Sequence, residues 1–150
     1  MTTPHGVALV TGASKGGTGT AIAVRLAAEG FAVALVARDD AGLTATAERI
    51  RELGGSSIVL PCDLADPDGG RATLVTRASD ALGPVDVLVN NAAANGYRPF
   101  AQWSRRQLEV AQQVNVWAPW QLMADAAASM RSQRRGWIVN LTSFAAELPP

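Results

Sequence analysis

Five short segments of the chain, residues 7–10, 33–36, 58–60, 85–89 and 137–141, are apolar at nearly every position instead of alternating with polar ones. A strand that reads this way is buried on both faces. The segments between them are long enough for crossover helices. Three carry a one-sided apolar stripe: Ile22 with Leu26; Leu43 with Ala47, Ile50 and Leu53; Leu74 with Ala78 and Leu82. Each of the last two ends in a stop signal, Gly54-Gly55 after the second helix and Gly83-Pro84 after the third. A fourth helix is expected from about Ser104, a capping serine, to Gln133, with Gly136 beyond its end.

Strands alternating with helices at this spacing specify βαβ units in a parallel sheet. The class is therefore α/β: a three-layer, doubly wound sheet, truncated after its fifth strand. A sheet of this kind is expected to continue, so residues 1–150 read as the N-terminal portion of a single longer domain.

Composition narrows the function classes. The 150 residues, 48% apolar and 17% charged, suit one globular domain, and 13 basic against 13 acidic residues leave no net charge. The basic footprint of a nucleic-acid binder is missing. Cys62 is the single cysteine, which rules out a disulfide framework or a clustered thiolate metal site within the chain and favours a reducing compartment. No stretch approaches the run of about 18 apolar residues that a membrane span needs, and residues 1–6 lack a basic segment followed by an apolar run. The expectation is a cytoplasmic chain with no metal, membrane or nucleic-acid partner.

The chemistry begins at residues 11–19, TGASKGGTG, placed directly after the first strand and directly before the first helix. This is the setting of a dinucleotide fingerprint. Gly12 allows a sharp turn, a middle glycine lets the backbone approach a pyrophosphate, and Gly19 lets helix and strand pack closely. Free amides and the helix dipole then face the negative charge. A glycine-rich turn that binds nothing is the alternative for the loop taken alone.

TGASKGGTG followed by Ala21-Ile22-Ala23, Asp63-Leu64 after the third strand, Asn90-Asn91-Ala92-Ala93 after the fourth, Val114-Asn115 in the fourth helix and the run from Ile138 to Ser143 on the fifth strand stand in a fixed order. In these motifs the chain resembles the short-chain dehydrogenase/reductase family, over essentially its whole length. The resemblance implies a Rossmann-type fold and reversible hydride transfer between a nicotinamide cofactor and a carbonyl or secondary alcohol. Within the family the overall look is of the group that includes 3-oxoacyl-carrier-protein reductases. It further implies a small-molecule substrate and a homodimer or homotetramer in the full-length protein.

The glycine loop departs from the family pattern TGxxxGxG, having Thr18 where the last glycine is due. Thr20-Ala21-Ile22-Ala23 resembles the residues after the family's last glycine. Aligned on that stretch, Gly17 and Gly19 match the second and third glycines, and the loop is one residue longer, with Lys15 and Gly16 in the added part. The implied cofactor contacts are Gly12, Ser14, Lys15, Gly17, Gly19, Arg38, Asp63, Leu64 and Asn90. Asp63 would meet the adenine amino group and Leu64 would flank the ring, although a plain turn residue is the other reading of Asp63.

At the end of the second strand a carboxylate would accept bonds from a ribose 2′-OH and repel a 2′-phosphate. Ala37 stands there and Arg38 is next, whose guanidinium can hold a phosphate in bidentate fashion. NADP(H) is expected over NAD(H), with Asp39 and Asp40 capping the next helix. The competing reading leaves Arg38 solvated and gives the discrimination to Asp39.

For the reaction, Ser143 matches the family's serine and would hydrogen-bond the substrate oxygen, with Thr142 in the first place of the pair. Asn115 matches the helical asparagine whose backbone carbonyl would hold a water in a proton relay. The family's YxxxK motif, by its usual spacing from the serine, would fall past Pro150. Tyr97 and Lys15, the chain's single tyrosine and lysine, cannot make it. Two readings stay open: part of a longer reductase, or a nucleotide-binding sensor or interaction protein without catalysis. Trp117 and Trp120 are read either as an interface or as core, Tyr97, Arg98 and Phe100 as a cleft margin or a plain loop, and Cys62 as a small buried residue.

Overall fold

The computed structural model describes residues 5–14, 16–96 and 99–143. Lys15, Tyr97 and Arg98 lie outside the described residues. The elements run β1 (Gly6–Thr11), α1 (Thr18–Ala28), β2 (Phe31–Ala37), α2 (Asp40–Glu52), β3 (Ser57–Pro61), α3 (Leu74–Leu82), β4 (Val85–Asn90), α4 (Arg105–Gln112), α5 (Ala118–Gln133) and β5 (Trp137–Asn140). The strands form one sheet in the order β3-β2-β1-β4-β5, every pair parallel. β1, the first strand made, is therefore central.

Alternate residues of the sheet feed two cores. Val7 and Leu9 of β1, with Ala34, Val36 and Leu88, face α3 and α5 through Leu74, Ala78, Ala118, Leu122 and Ala126. Ala8 and Val10, with Val33, Leu35 and Val89, face α1 and α2 through Ala23, Ala27, Leu43 and Ile50. Burial on both sides is why β1, β2 and β4 carry no polar alternation.

β1 and β4 do not pair in simple register. Val7 faces Val85 while Ala8 faces Val87, so Asp86 is the extra residue of a bulge. Its buried carboxylate accepts the Val7 N–H at 2.9 Å and pairs with Arg135 at 2.9 Å. The side chain thus replaces the ladder partner that the bulge removes, and the guanidinium offsets the charge.

The fourth helix begins as the sequence indicates, with Ser104 and Gln107 closing a capping box. It is not one regular helix. Residues Gln113–Trp117 form a π-helical turn between α4 and α5, where the Ala118 N–H reaches back to the Gln113 carbonyl. Pro119, with no N–H, cannot donate to the carbonyl of Asn115 four residues before it. That carbonyl therefore lacks its α-helical donor. The helix ends at Arg134 in the left-handed conformation, φ 54°, ahead of Gly136.

Two expectations are corrected, and one of two open readings is set aside. Leu53 lies outside the apolar stripe: it caps α2 and is 59% exposed, because Gly54 and Gly55 turn back to Arg51 and Ile50 one residue earlier than the periodicity suggests. β5 is not buried on both faces: all its residues are exposed, and β4 is its one strand neighbour among the described residues. Trp117 and Trp120 are not core. They are half-exposed or more and meet edge to face with centroids 6.1 Å apart.

α1 crosses the end of β1 at very close range. A Cβ at Gly19 would overlap the Gly12 carbonyl and the Asn91 amide, and Gly12 itself has φ +72°. Gly19→Ala is expected to lower folding stability by about 1–3 kcal/mol, the usual range for overpacking a tight contact. Thermal melts monitored by circular dichroism check this, and an unchanged Tm would refute the close crossing.

Candidate functional site

Parallel strands place their carboxyl ends together, and ligands of open α/β sheets bind outside those ends. Here that edge borders a cleft of about 730 Å³. Its lining comes from the loop after β1 (Gly12, Ser14), the end of β2 (Ala37, Arg38, Asp39), the segment after β3 (Cys62, Asp63, Leu64), the segment after β4 (Asn91 to Asn95), and Val110 and Val114. A cleft of this size suits a small organic ligand or cofactor.

The loop after β1 is held from below by two threonines. Thr20 donates to the Ala13 carbonyl and accepts from the Gly16 N–H, both at 3.2 Å. Thr46 of α2 donates to the same carbonyl at 2.8 Å. A Cβ at Gly42 would overlap the Ser14 carbonyl, so α2 packs directly on the loop. Above it the space is open: a Cβ at Gly16 or at Gly17 would meet nothing within 4 Å. α1 starts at this point with no side-chain cap and no acidic residue in its first turn. Its first amides are left for a ligand, and the dipole favours an anion.

The β4 side is locked to β1. Thr11 Oγ1 accepts the N–H groups of Asn91 and Ala92 at 3.0 Å each and donates to the Val89 carbonyl at 3.3 Å. The Asn91 side-chain amide donates to the Thr11 carbonyl at 2.8 Å. Further along, Asn115 in the π turn grips Ala94 from both sides, donating to its carbonyl at 2.7 Å and accepting its N–H at 2.8 Å. The side chain of Asn115 is thus committed to placing the cleft wall.

At the β2 end Arg38 is exposed on the cleft margin, whereas Asp39 is the N-cap of α2 and accepts the Gly42 N–H at 3.2 Å. Asp63 closes a turn on the Ala65 N–H at 2.9 Å and also lines the cleft. Burial pushes the Cys62 thiol above its ordinary pKa, and the thiol donates to the Gly69 carbonyl at 3.6 Å.

Of the residues that the sequence singles out, Gly12, Ser14, Arg38, Asp63 and Leu64 meet in the cleft lining. Gly17 and Gly19 lie at the start of α1, Gly17 open and Gly19 packed beneath. Asn90 does not line the cleft: its buried side chain donates to Asn140 Oδ1 of β5 at 2.8 Å, and its neighbour Asn91 takes the wall position. In a strand successive side chains alternate in direction, which is why one asparagine of the pair looks into the sheet and the next does not. Ser143 is exposed just beyond β5, at the same end of the sheet, outside the cleft lining. Asn115 approaches the cleft through Ala94. Cys62, Asn95, Val110 and Val114 are cleft residues that sequence reasoning did not assign; the four-residue spacing of the two valines on one helix face was their one available signal.

Among the described residues no helix is long and apolar enough to cross a membrane. Compared with known proteins, residues 6–150 match the family model for short chain dehydrogenases. The chain is 37% identical over 146 residues to a ketoacyl reductase, HetN, of Nostoc sp., a match covering 97% of this chain and 50% of that protein. A metagenomic short-chain oxidoreductase solved in complex with NADP superposes with a TM-score of 0.91 at 36% identity, covering 98% of this chain and 66% of that one. A 7α-hydroxysteroid dehydrogenase solved with NADH and 7-oxo glycochenodeoxycholic acid gives a TM-score of 0.91 at 30% identity, covering 99% of this chain and 57% of that one. The chain spans about half the length of the curated relatives it matches. By fold, by motif order and by these similarities it belongs to the short-chain dehydrogenase/reductase family, whose members are oxidoreductases that use nicotinamide cofactors.

Proposed function

We propose that the whole protein is an NADP(H)-dependent oxidoreductase acting on a carbonyl or secondary alcohol, and that residues 1–150 supply its dinucleotide-binding portion. The observation that carries the reading is the cleft, where an open glycine cradle at the start of α1, an exposed Arg38 and the Asp63-Leu64 wall converge on one cavity. The residues present fit the cofactor. Gly16 and Gly17 leave room where side chains would block a pyrophosphate, and the uncapped amides of α1 offer it donors.

When bound, the cofactor supplies or accepts the hydride. The chain's own residues do the rest. Arg38 would hold a 2′-phosphate in bidentate fashion, and the capping bond from Gly42 ties the Asp39 carboxylate to α2, which supports NADP(H) over NAD(H). Asp63 and Leu64 would receive the adenine. Ser143, beyond the end of β5, would donate to the substrate oxygen as charge develops there. The main-chain carbonyl of Asn115, without its helical donor, would accept from a water that relays protons. A cytoplasmic location and a homodimer or homotetramer belong to the same proposal.

Arg38→Ala is expected to weaken NADPH binding by about 10- to 100-fold, from the 1.5–3 kcal/mol of a charged hydrogen bond, and to leave NADH binding within about twofold. Equal losses for both cofactors in a calorimetric titration would refute the assignment. Gly17→Val should leave Tm nearly unchanged, because its side chain enters open space, and should abolish binding of either dinucleotide; retained binding would move the phosphates elsewhere. In the whole protein Ser143→Ala should reduce kcat by about 100-fold or more with the NADPH Kd unaltered, and an unchanged steady-state rate would remove Ser143 from the reaction.

A further inference from the structure

Arg71 stands just before α3 and is 5% exposed, a position where a charged side chain is rarely found without a carboxylate partner. Among the described residues no carboxylate pairs with it. Its guanidinium donates instead to neutral acceptors. Nη1 donates to the Leu64 carbonyl at 2.8 Å and to Gln113 Oε1 at 2.9 Å, and Nε donates to Gln121 Oε1 at 2.9 Å.

These three acceptors come from two segments that both contribute to the cleft lining, one through Leu64 and the other through Val114. Leu64 is the wall after β3. Gln113 opens the π turn and Gln121 lies in α5 beyond it, so one planar fork spans the turn and binds it to the Leu64 wall. The same turn carries Val114, which lines the cleft, and Asn115, which holds Ala94. An apolar residue at position 71 could fill the volume but could not fix the separation of the two walls.

We propose that Arg71 is a positioning residue for the adenine end of the cleft. It holds the Leu64 wall at a fixed distance from the π turn, so that the slot between them stands formed before a ligand enters. The inference rests on the dinucleotide reading of the cleft and adds to it a residue that touches neither cofactor nor substrate. Its effect tracks the population of the formed slot: where that population falls to a tenth, apparent affinity for whatever the slot holds falls tenfold.

The test uses the whole protein with Arg71→Met, Arg71→Lys and three probes, NADPH, 2′,5′-ADP and nicotinamide mononucleotide, titrated calorimetrically. The expected result for Arg71→Met is an equal loss, about tenfold, for NADPH and 2′,5′-ADP, with nicotinamide mononucleotide and the NADPH-to-NADH preference unmoved. Arg71→Lys should recover part of the loss, because an ammonium can reach some of the three acceptors. A lowered Tm with all three affinities unchanged, or an equal loss for all three probes, would overturn the proposal as a mere matter of folding. If Arg71→Met does not fold, Gln121→Leu, which keeps the guanidinium and two of its acceptors, should show the same pattern at smaller size; wild-type affinities there would overturn it as well. An unmutated protein that binds neither NADPH nor 2′,5′-ADP defeats the dinucleotide reading together with this inference, whereas normal binding that is indifferent to Arg71→Met defeats this inference alone.

Discussion

The contact on which the rest depends is the crossing of two stretches of bare backbone at Gly12 and Gly19. The first turn of α1 lies against the end of β1 with no room for a methyl group, and the side-chain amide of Asn91 fills the remaining gap with a donor. Three things are fixed by that crossing. The uncapped amides of α1 point outward at the end of the sheet, β4 is held beside β1 at their carboxyl ends, and the segment after Asn91 is launched along the cleft. Thr11 secures the same junction with a hydroxyl that accepts two amides and donates to a carbonyl. Because these polar groups satisfy one another, the junction is rigid, and a rigid junction is what a phosphate cradle requires.

The opposite end of the β1–β4 pair is treated differently. There Asp86 bulges, lends its carboxylate to Val7, and is neutralised by Arg135 from beyond α5. The pair is thus pinned at one end by glycines and neutral amides and at the other by an ion pair with a buried carboxylate. The charged device sits away from the cleft, where it does not compete with Arg38 for an anionic ligand. Arg71, by contrast, brings a guanidinium into the interior behind the Leu64 wall and donates to the Leu64 carbonyl and the side-chain amide oxygens of Gln113 and Gln121.

How much of this was legible in the residues depends on what each signal encodes. Strands β1, β2 and β4 were readable because burial on both faces erases polar alternation, and the helix stops at Gly54 and Gly83 because a positive φ selects glycine. The glycine loop and the Arg38, Asp63 and Leu64 positions were legible as local motifs. The π turn was not, since an inserted turn leaves the helical stripe of Val110, Val114, Ala118 and Leu122 intact, and only Pro119 hints that a backbone bond is missing. The exposure of β5 and of Trp117 and Trp120 depends on which neighbours stand beside them, and an apolar residue reads the same whether covered or bare. The turn of Asn90 away from the cleft depends on strand parity at one residue. The fork of Arg71 joins positions 42 and 50 residues apart and leaves no pattern along the chain.

The order β3-β2-β1-β4-β5 also has a consequence in time. No two sequential strands can close as a hairpin, and β1 gains its second neighbour only when β4 arrives, so that Thr11 waits for a residue 80 positions later. Every ladder requires a long loop closure, which makes such a sheet slow to nucleate compared with one built from local pairs. During synthesis at about 5–20 residues per second, the central strand of the molecule leaves the ribosome several seconds before the strand that will cover its second edge. For that interval β1 keeps an unpaired edge, the kind of open template on which another chain can pair.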